Sequence, residues 1–91
     1  MKTFKDLKFK KQQPLTIASG IQAEMHFPNN YGISVIMTPH SYGHEKGLWE
    51  VAIMHNNSLC YDTPITNDVL GYQTDEDVTK VMKQVQALKP N

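Results

Sequence analysis

Alternating apolar and polar residues predict the first two strands of this chain. From Ile21 to Phe27 every second residue is apolar, and polar residues stand between them. A period of two is typical of a strand with one buried face and one wet face. The alternation resumes from Ile33 to Thr38, after a segment at 28–32 that contains two asparagines and a glycine. Such residues favour turns, so the pattern predicts an antiparallel hairpin.

A third and a fourth strand are predicted after a polar loop at residues 39–47. Residues 48–55 carry apolar side chains on both faces. A strand of this kind is expected to lie in the centre of a sheet and to be covered on both sides. The two asparagines that follow predict a tight turn into a short fourth strand at 58–61.

One helix is predicted near the C-terminus, after a connector at residues 62–72. Thr74 and Asp77 have the spacing of a capping box, and three consecutive acidic residues from Asp75 suit the positive end of a helix dipole. Capping therefore explains these carboxylates without a metal or a ligand. Helical spacing places an apolar stripe on one side, made of Val78, Val81, Met82, Val85 and Leu88. Pro90 ends the helix.

These elements predict a small α+β fold. An antiparallel sheet of about four strands, built from hairpins, carries one amphipathic C-terminal helix on one face. Ninety-one residues suffice for one domain and are too few for two. We assign residues 15–91 to this single domain and residues 1–14 to a basic N-terminal arm. Phe4, Leu7 and Phe9 are expected to pin the arm to the domain, and Pro14 ends it.

The arm concentrates the basic charge of a chain whose net charge is zero. It holds five of the nine lysines, and the chain contains no arginine. Arginine is the usual residue for bidentate contact with guanine edges and phosphates, so its absence disfavours sequence-specific DNA reading. Lysine still contacts phosphate as a point charge. Nucleic acid is therefore the less favoured partner, and its candidate contacts are Lys5, Lys8, Lys10 and Lys11.

Composition also bears on the compartment. No stretch approaches the roughly 20 apolar residues of a membrane-spanning helix, and no apolar segment follows the basic N-terminus as in a secretory signal. The one cysteine, Cys60, excludes an internal disulfide. We therefore expect a protein of the reducing cytoplasm with no membrane partner.

Two constellations have residue types suited to chemistry. His40 and His44 are four residues apart, but a loop with Gly43 between them lacks the helical geometry of paired metal ligands. A zinc site there would need further ligands, for which His26, His55 and Cys60 are the candidates.

Cys60 lies two residues before Asp62, and with a histidine they would have the residue types of an activated thiol. Because Leu59 and Tyr61 flank the cysteine, a buried and unreactive thiol is the more usual outcome. The glycines are isolated, so no phosphate-binding loop is present. We predict a non-enzymatic protein with no catalytic residue, cofactor or metal site.

A contact with a protein partner is the remaining hypothesis. The connector at 62–72 offers hydrogen bonds and aromatic anchors, as binding loops do. The candidate contacts are Tyr42, Tyr61, Asp62, Thr63, Asn67, Asp68 and Tyr72. The alternative is that the connector is simply a strand-to-helix crossover packed by Ile65, Val69 and Leu70. A homodimer is a further hypothesis, because short sheets leave edges that a second copy covers.

Two segments resemble small proteins encoded by tailed bacteriophages and prophages. They are GLWEVAI at 47–53 and LCYDTPITNDVLGY at 59–72; KTFKDL at 2–7 and SYG at 41–43 are similar to that group too. The resemblance implies expression in the cytoplasm of a bacterial host and supplies no catalytic residue. It favours a protein-binding accessory or inhibitor protein that acts on a host or phage protein. The alternative is a nucleic-acid-associated accessory protein that uses the lysine-rich arm.

Overall fold

A computed structural model describes residues 1–11 and 20–90, and it places six strands in one antiparallel sheet. The strands are β1 (Lys10–Lys11), β2 (Ile21–His26), β3 (Tyr31–Met37), β4 (Trp49–His55), β5 (Ser58–Leu59) and β6 (Leu70–Gln73). They lie in the order β1 to β5, and β6 also pairs with β4. Helix α1 (Asp75–Gln86) follows, and single 3₁₀ turns occupy Phe4–Asp6 and His44–Lys46. The α+β fold with a C-terminal helix is confirmed, with more strands than the four predicted.

The two unpredicted strands are short and have no readable periodicity. β1 consists of two lysines, which pair with Gln22 and Ile21 of β2. β6 lies in the segment predicted to be a connector, and it pairs with β4. A strand of two to four residues is recognised by its hydrogen-bonding partner, which a local sequence pattern does not contain.

The core forms between α1 and the face of the sheet that the period of two predicts. Ile33 lies opposite Ile53, and Val35 lies opposite both Ala23 and Val51. All five side chains are buried. The helix contributes Val78, Val81, Met82 and Val85, which are buried as the predicted stripe requires. Leu88 lies beyond the end of the helix and is half-buried.

The predicted capping box is present at the start of α1. The Thr74 hydroxyl accepts a hydrogen bond from the Asp77 N–H at 3.1 Å, and the Asp77 carboxylate accepts one from the Thr74 N–H at 3.0 Å. Asp75 also accepts a hydrogen bond from the Trp49 indole N–H at 2.9 Å. Asp77 therefore caps the start of the helix, and Asp75 links it to Trp49 of β4 by a hydrogen bond.

The N-terminal residues pack against the domain through their aromatic side chains. The Phe9 ring stacks on the Trp49 ring with centroids 4.5 Å apart, and the Phe4 centroid lies 5.5 Å from Trp49. Leu7 is buried, and the Phe4 N–H donates to the Thr79 hydroxyl at 3.1 Å. The predicted boundary at residue 14 lies outside the described residues. Within the described ranges, no helix combines the length and apolarity needed to cross a membrane.

Candidate functional site

The side of the sheet that faces away from α1 forms a shallow groove of about 430 Å³. Residues directly opposite each other on paired strands share a side of the sheet. Three cross-strand rows make up this side: Gln22 with Ile36 and Glu50, Glu24 with Ser34 and Ala52, and His26 with Gly32, Met54 and Leu59. Tyr61 and Val69 border it. We call this surface, with Leu59 and Tyr61 at its rim, the open face.

The open face has apolar side chains at the side formed by β4 and β5. Leu59 of β5 lies opposite Met54 of β4, and Met54 is buried while Leu59 remains 56% exposed. Tyr61 is 45% exposed. The sequence predicts that β4 is covered on both faces. On the face away from α1, the covering side chains come from β5 and the residues that follow it. Among the described residues, no second helix or sheet covers them. Exposed apolar side chains that cluster in this way are typical of interaction surfaces.

A β-bulge lies where β6 joins the open face. The register between β4 and β6 shifts, so that Glu50 faces both Gly71 and Tyr72. Tyr72 has a φ of 56°, in the left-handed region. This conformation costs a bulky L-residue about 1–2 kcal/mol, and such strain concentrates at functional sites. The bulge therefore places a strained tyrosine beside Glu50, with its side chain 50% exposed.

Tyr42 contacts this bulge from the loop before β4. Its Cβ fills the space beside Gly71, where an added Cβ would lie 2.5 Å from it. The Tyr42 carbonyl accepts a hydrogen bond from the Tyr72 N–H at 3.2 Å, and the Tyr42 N–H donates to Glu50 Oε1 at 2.9 Å. Tyr42 is 62% exposed. Backbone bonds and close packing thus bring two exposed tyrosines to one carboxylate.

The Tyr72 side chain also has partners in the 3₁₀ turn that follows Gly43. Its hydroxyl donates a hydrogen bond to the Glu45 carboxylate, which raises the pKa of Tyr72. The pKa of Glu45 is lowered, first by its own backbone N–H and then by this hydroxyl. The Lys46 ammonium lies 5.9 Å from the Tyr72 ring centroid, within range of a cation–π contact. These contacts restrain the ring at the surface.

The predicted partner-binding residues of the connector have mainly internal contacts. The Thr63 hydroxyl accepts hydrogen bonds from the Ile65 and Thr66 N–H groups, and the Asp68 carboxylate accepts one from the Val69 N–H. Asn67 is exposed.

The alternative role of the connector, a packed crossover, also has support. Ile65 and Leu70 pack against the core, and Val69 lines the open face. Of the seven predicted contacts, the structure therefore brings Tyr61, Tyr42 and Tyr72 to the open face or its Glu50 end.

The residues considered for chemistry are engaged elsewhere. The Cys60 thiol donates to the Asp62 carboxylate at 2.9 Å, and this hydrogen bond raises the pKa of Cys60. His44 Nδ1 donates to the Ser41 carbonyl at 2.7 Å, and the His55 ring stacks on Tyr31. Within residues 1–11 and 20–90, no three His, Cys, Asp or Glu side chains are grouped to hold a metal ion.

The four candidate lysines for nucleic acid are exposed but lie on different surfaces. Lys10 pairs with Gln22, which is on the open-face side, whereas Lys11 pairs with Ile21 on the helix side. Lys5 borders a groove with the acidic start of α1. Successive residues of a strand point to opposite faces, so β1 itself separates two of these charges.

A larger groove, of about 620 Å³, lies between the N-terminal residues and the β2–β3 turn. The Lys2 backbone and the Gln86 side chain exchange two hydrogen bonds there, at 2.9 and 2.8 Å, and Asp6 accepts from the Thr3 N–H. We favour the open face, because the exposed Leu59 and Tyr61 line its groove together with Glu50.

The sequence interpretation missed the apolar part of the site, namely Ile36, Met54 and Leu59. The available signal was that the third strand is apolar on both faces, while the one predicted helix covers only one face of the sheet. Glu50 is the charged residue within the third predicted strand, but its position opposite the bulge depends on β6 pairing with β4.

Comparisons of the chain with protein-family models, with curated proteins and with solved structures found no match. The resemblance to phage and prophage proteins therefore stays a prediction.

Proposed function

We propose that this chain is a non-enzymatic accessory or inhibitor protein that binds another protein through the open face. The proposal is carried by the exposure of Leu59 and Tyr61 beside the half-apolar groove. Burying apolar surface releases about 25 cal/mol per Å², so such a groove favours a partner with apolar side chains. Aromatic residues are enriched where binding energy concentrates, and Tyr42 and Tyr72 add two more at the Glu50 end.

The expected setting is the cytoplasm of a bacterial host, and the expected partner is a host or phage protein. This setting rests on the resemblance of segments 47–53 and 59–72 to phage and prophage proteins. A homodimer formed by edge pairing has less support. β1 is short and made of lysines, β5 has two residues and β6 carries a bulge, all features that discourage edge-to-edge pairing.

The test is a comparative pull-down from bacterial lysate, with and without nuclease treatment, using tagged wild-type protein and two variants. Leu59→Asp places a charge on the open face, and Gln84→Asp places the same charge on the exposed side of α1. A protein recovered by the wild type and by Gln84→Asp, but lost with Leu59→Asp, supports the proposal. Circular dichroism of both variants verifies that each is folded.

Two results would contradict it. Equal recovery of the same partner by all three proteins would show that the binding surface lies outside the open face. Partners that disappear after nuclease treatment would favour the nucleic-acid alternative. In that case binding should fall steeply with salt and be lost when Lys8, Lys10 and Lys11 are changed to alanine.

A further inference from the structure

We infer that the partner presents a lysine or arginine side chain to Glu50, next to apolar side chains that occupy the groove. This inference rests on the proposed function, because it specifies what the open face binds. Among the described residues that line the groove, both charged side chains are carboxylates, Glu24 and Glu50. The surface is therefore complementary to a partner that is apolar and basic.

Glu50 has acceptor capacity directed at the groove. Its Oε1 accepts a hydrogen bond from the Tyr42 N–H, and a carboxylate has lone pairs for about four such bonds. Glu24 has one oxygen engaged as well, 3.3 Å from His26 Nε2, but it is exposed, whereas Glu50 is half-buried and its charge is less screened by solvent. A cationic side chain would thus form its charge-assisted hydrogen bond with Glu50.

The neighbours of Glu50 suit a cation as well. Tyr42, whose N–H bonds to Glu50, and Tyr72, which lies opposite Glu50 in the bulge, are both exposed, and aromatic faces attract lysine and arginine. The Lys46 ammonium already lies 5.9 Å from the centroid of the Tyr72 ring. The Tyr42 ring is therefore the aromatic side chain that would contact the partner's cation.

A lysine of the chain itself shares the row of Glu50 but lies at its far end. The row runs from Lys10 through Gln22 and Ile36 to Glu50. Three strand spacings separate the backbones of its two ends, roughly 14 Å. That distance exceeds the Debye length of about 8 Å at physiological salt, so Lys10 compensates the Glu50 charge weakly.

The probe is a library of random twelve-residue peptides displayed on phage and selected against the full chain. Enriched peptides are then synthesised, and their affinities are measured by fluorescence anisotropy. Glu50→Gln removes the charge but keeps an oxygen that accepts from Tyr42. Glu76→Gln, on the exposed start of α1, is the matched control. We expect peptides that combine lysine or arginine with apolar residues, bound about tenfold more weakly by Glu50→Gln and equally well by Glu76→Gln.

A Leu59→Ser variant separates this inference from the proposed function. Peptides that lose affinity with Leu59→Ser but keep it with Glu50→Gln would overturn the basic-partner inference and leave the proposed function standing. Failure to enrich any peptide sensitive to either change would overturn both. A dimer in light scattering that Leu59→Ser dissociates would identify a second copy as the occupant and would also overturn the inference.

Discussion

The side-chain amide of Asn29 donates a hydrogen bond to the Val85 carbonyl at 2.9 Å and a second to the Leu88 carbonyl, also at 2.9 Å. Its oxygen accepts from the Tyr31 N–H at 3.1 Å. The last carbonyls of a helix have no partner within the helix. A buried residue of the β2–β3 turn therefore caps the end of α1 and joins the two layers of the fold.

Asn29→Ala is expected to lower the free energy of unfolding by about 1–3 kcal/mol. The change removes both hydrogen bonds to the end of the chain and the acceptor of the Tyr31 N–H, while the Val85 carbonyl keeps its bond from the Leu88 N–H. Urea denaturation of wild type and variant measures the difference. Asn67→Ala, in the exposed part of the connector, is the control and should change stability by less than about 0.5 kcal/mol. Equal effects of the two changes would contradict the capping role.

The backbone strain at Tyr72 predicts a reversal in the usual order of alanine and glycine. At φ 56° a glycine has no left-handed penalty, so Tyr72→Gly should be more stable than Tyr72→Ala by about 1 kcal/mol. At Tyr42, which is outside the positive-φ residues, the same pair should show the ordinary order, with alanine more stable. Thermal or urea unfolding of the four variants decides it. Finding alanine more stable at both positions would show that Tyr72 is not strained.

Asp77 predicts a stability difference that depends on pH. Hydrogen bonds from the backbone and then the hydroxyl of Thr74 lower the pKa of Asp77 below its ordinary value. A lowered folded-state pKa stabilises the protein above the unfolded-state pKa, and the contribution is lost as pH falls through the folded-state value. Asp77→Asn should therefore unfold at a lower temperature than wild type near pH 7, and the gap should close as pH falls below about 4. A gap that stays constant down to pH 2 would contradict a role for the charge.

The Cys60 thiol should react slowly with alkylating reagents. Its hydrogen bond to Asp62 favours the protonated form and raises the pKa of Cys60, so little thiolate is present near pH 8. Asp62→Asn removes the carboxylate and should accelerate alkylation by iodoacetamide at that pH, followed by mass spectrometry. Asp68→Asn is the control, since Asp68 bonds to the Val69 N–H instead. Unchanged rates in both variants would show that Asp62 does not govern the thiol.

The sequence by itself determined the elements whose signals are local. A period of two marks β2 and β3, the apolar stripe marks α1, and Thr74 with Asp77 marks where the helix begins. Each signal depends on residues within a few positions of one another, because backbone geometry sets those spacings.

Tertiary structure alone decided the open face and its Glu50 end. Whether Ile36 and Leu59 are covered depends on the total number of layers, which no local pattern contains. The position of Tyr72 depends on β6 pairing with β4 through a bulge, and that of Tyr42 on its packing over Gly71. These contacts join residues up to about 30 positions apart in the sequence. They stabilise the protein only after the intervening chain has folded back and brought the two segments together.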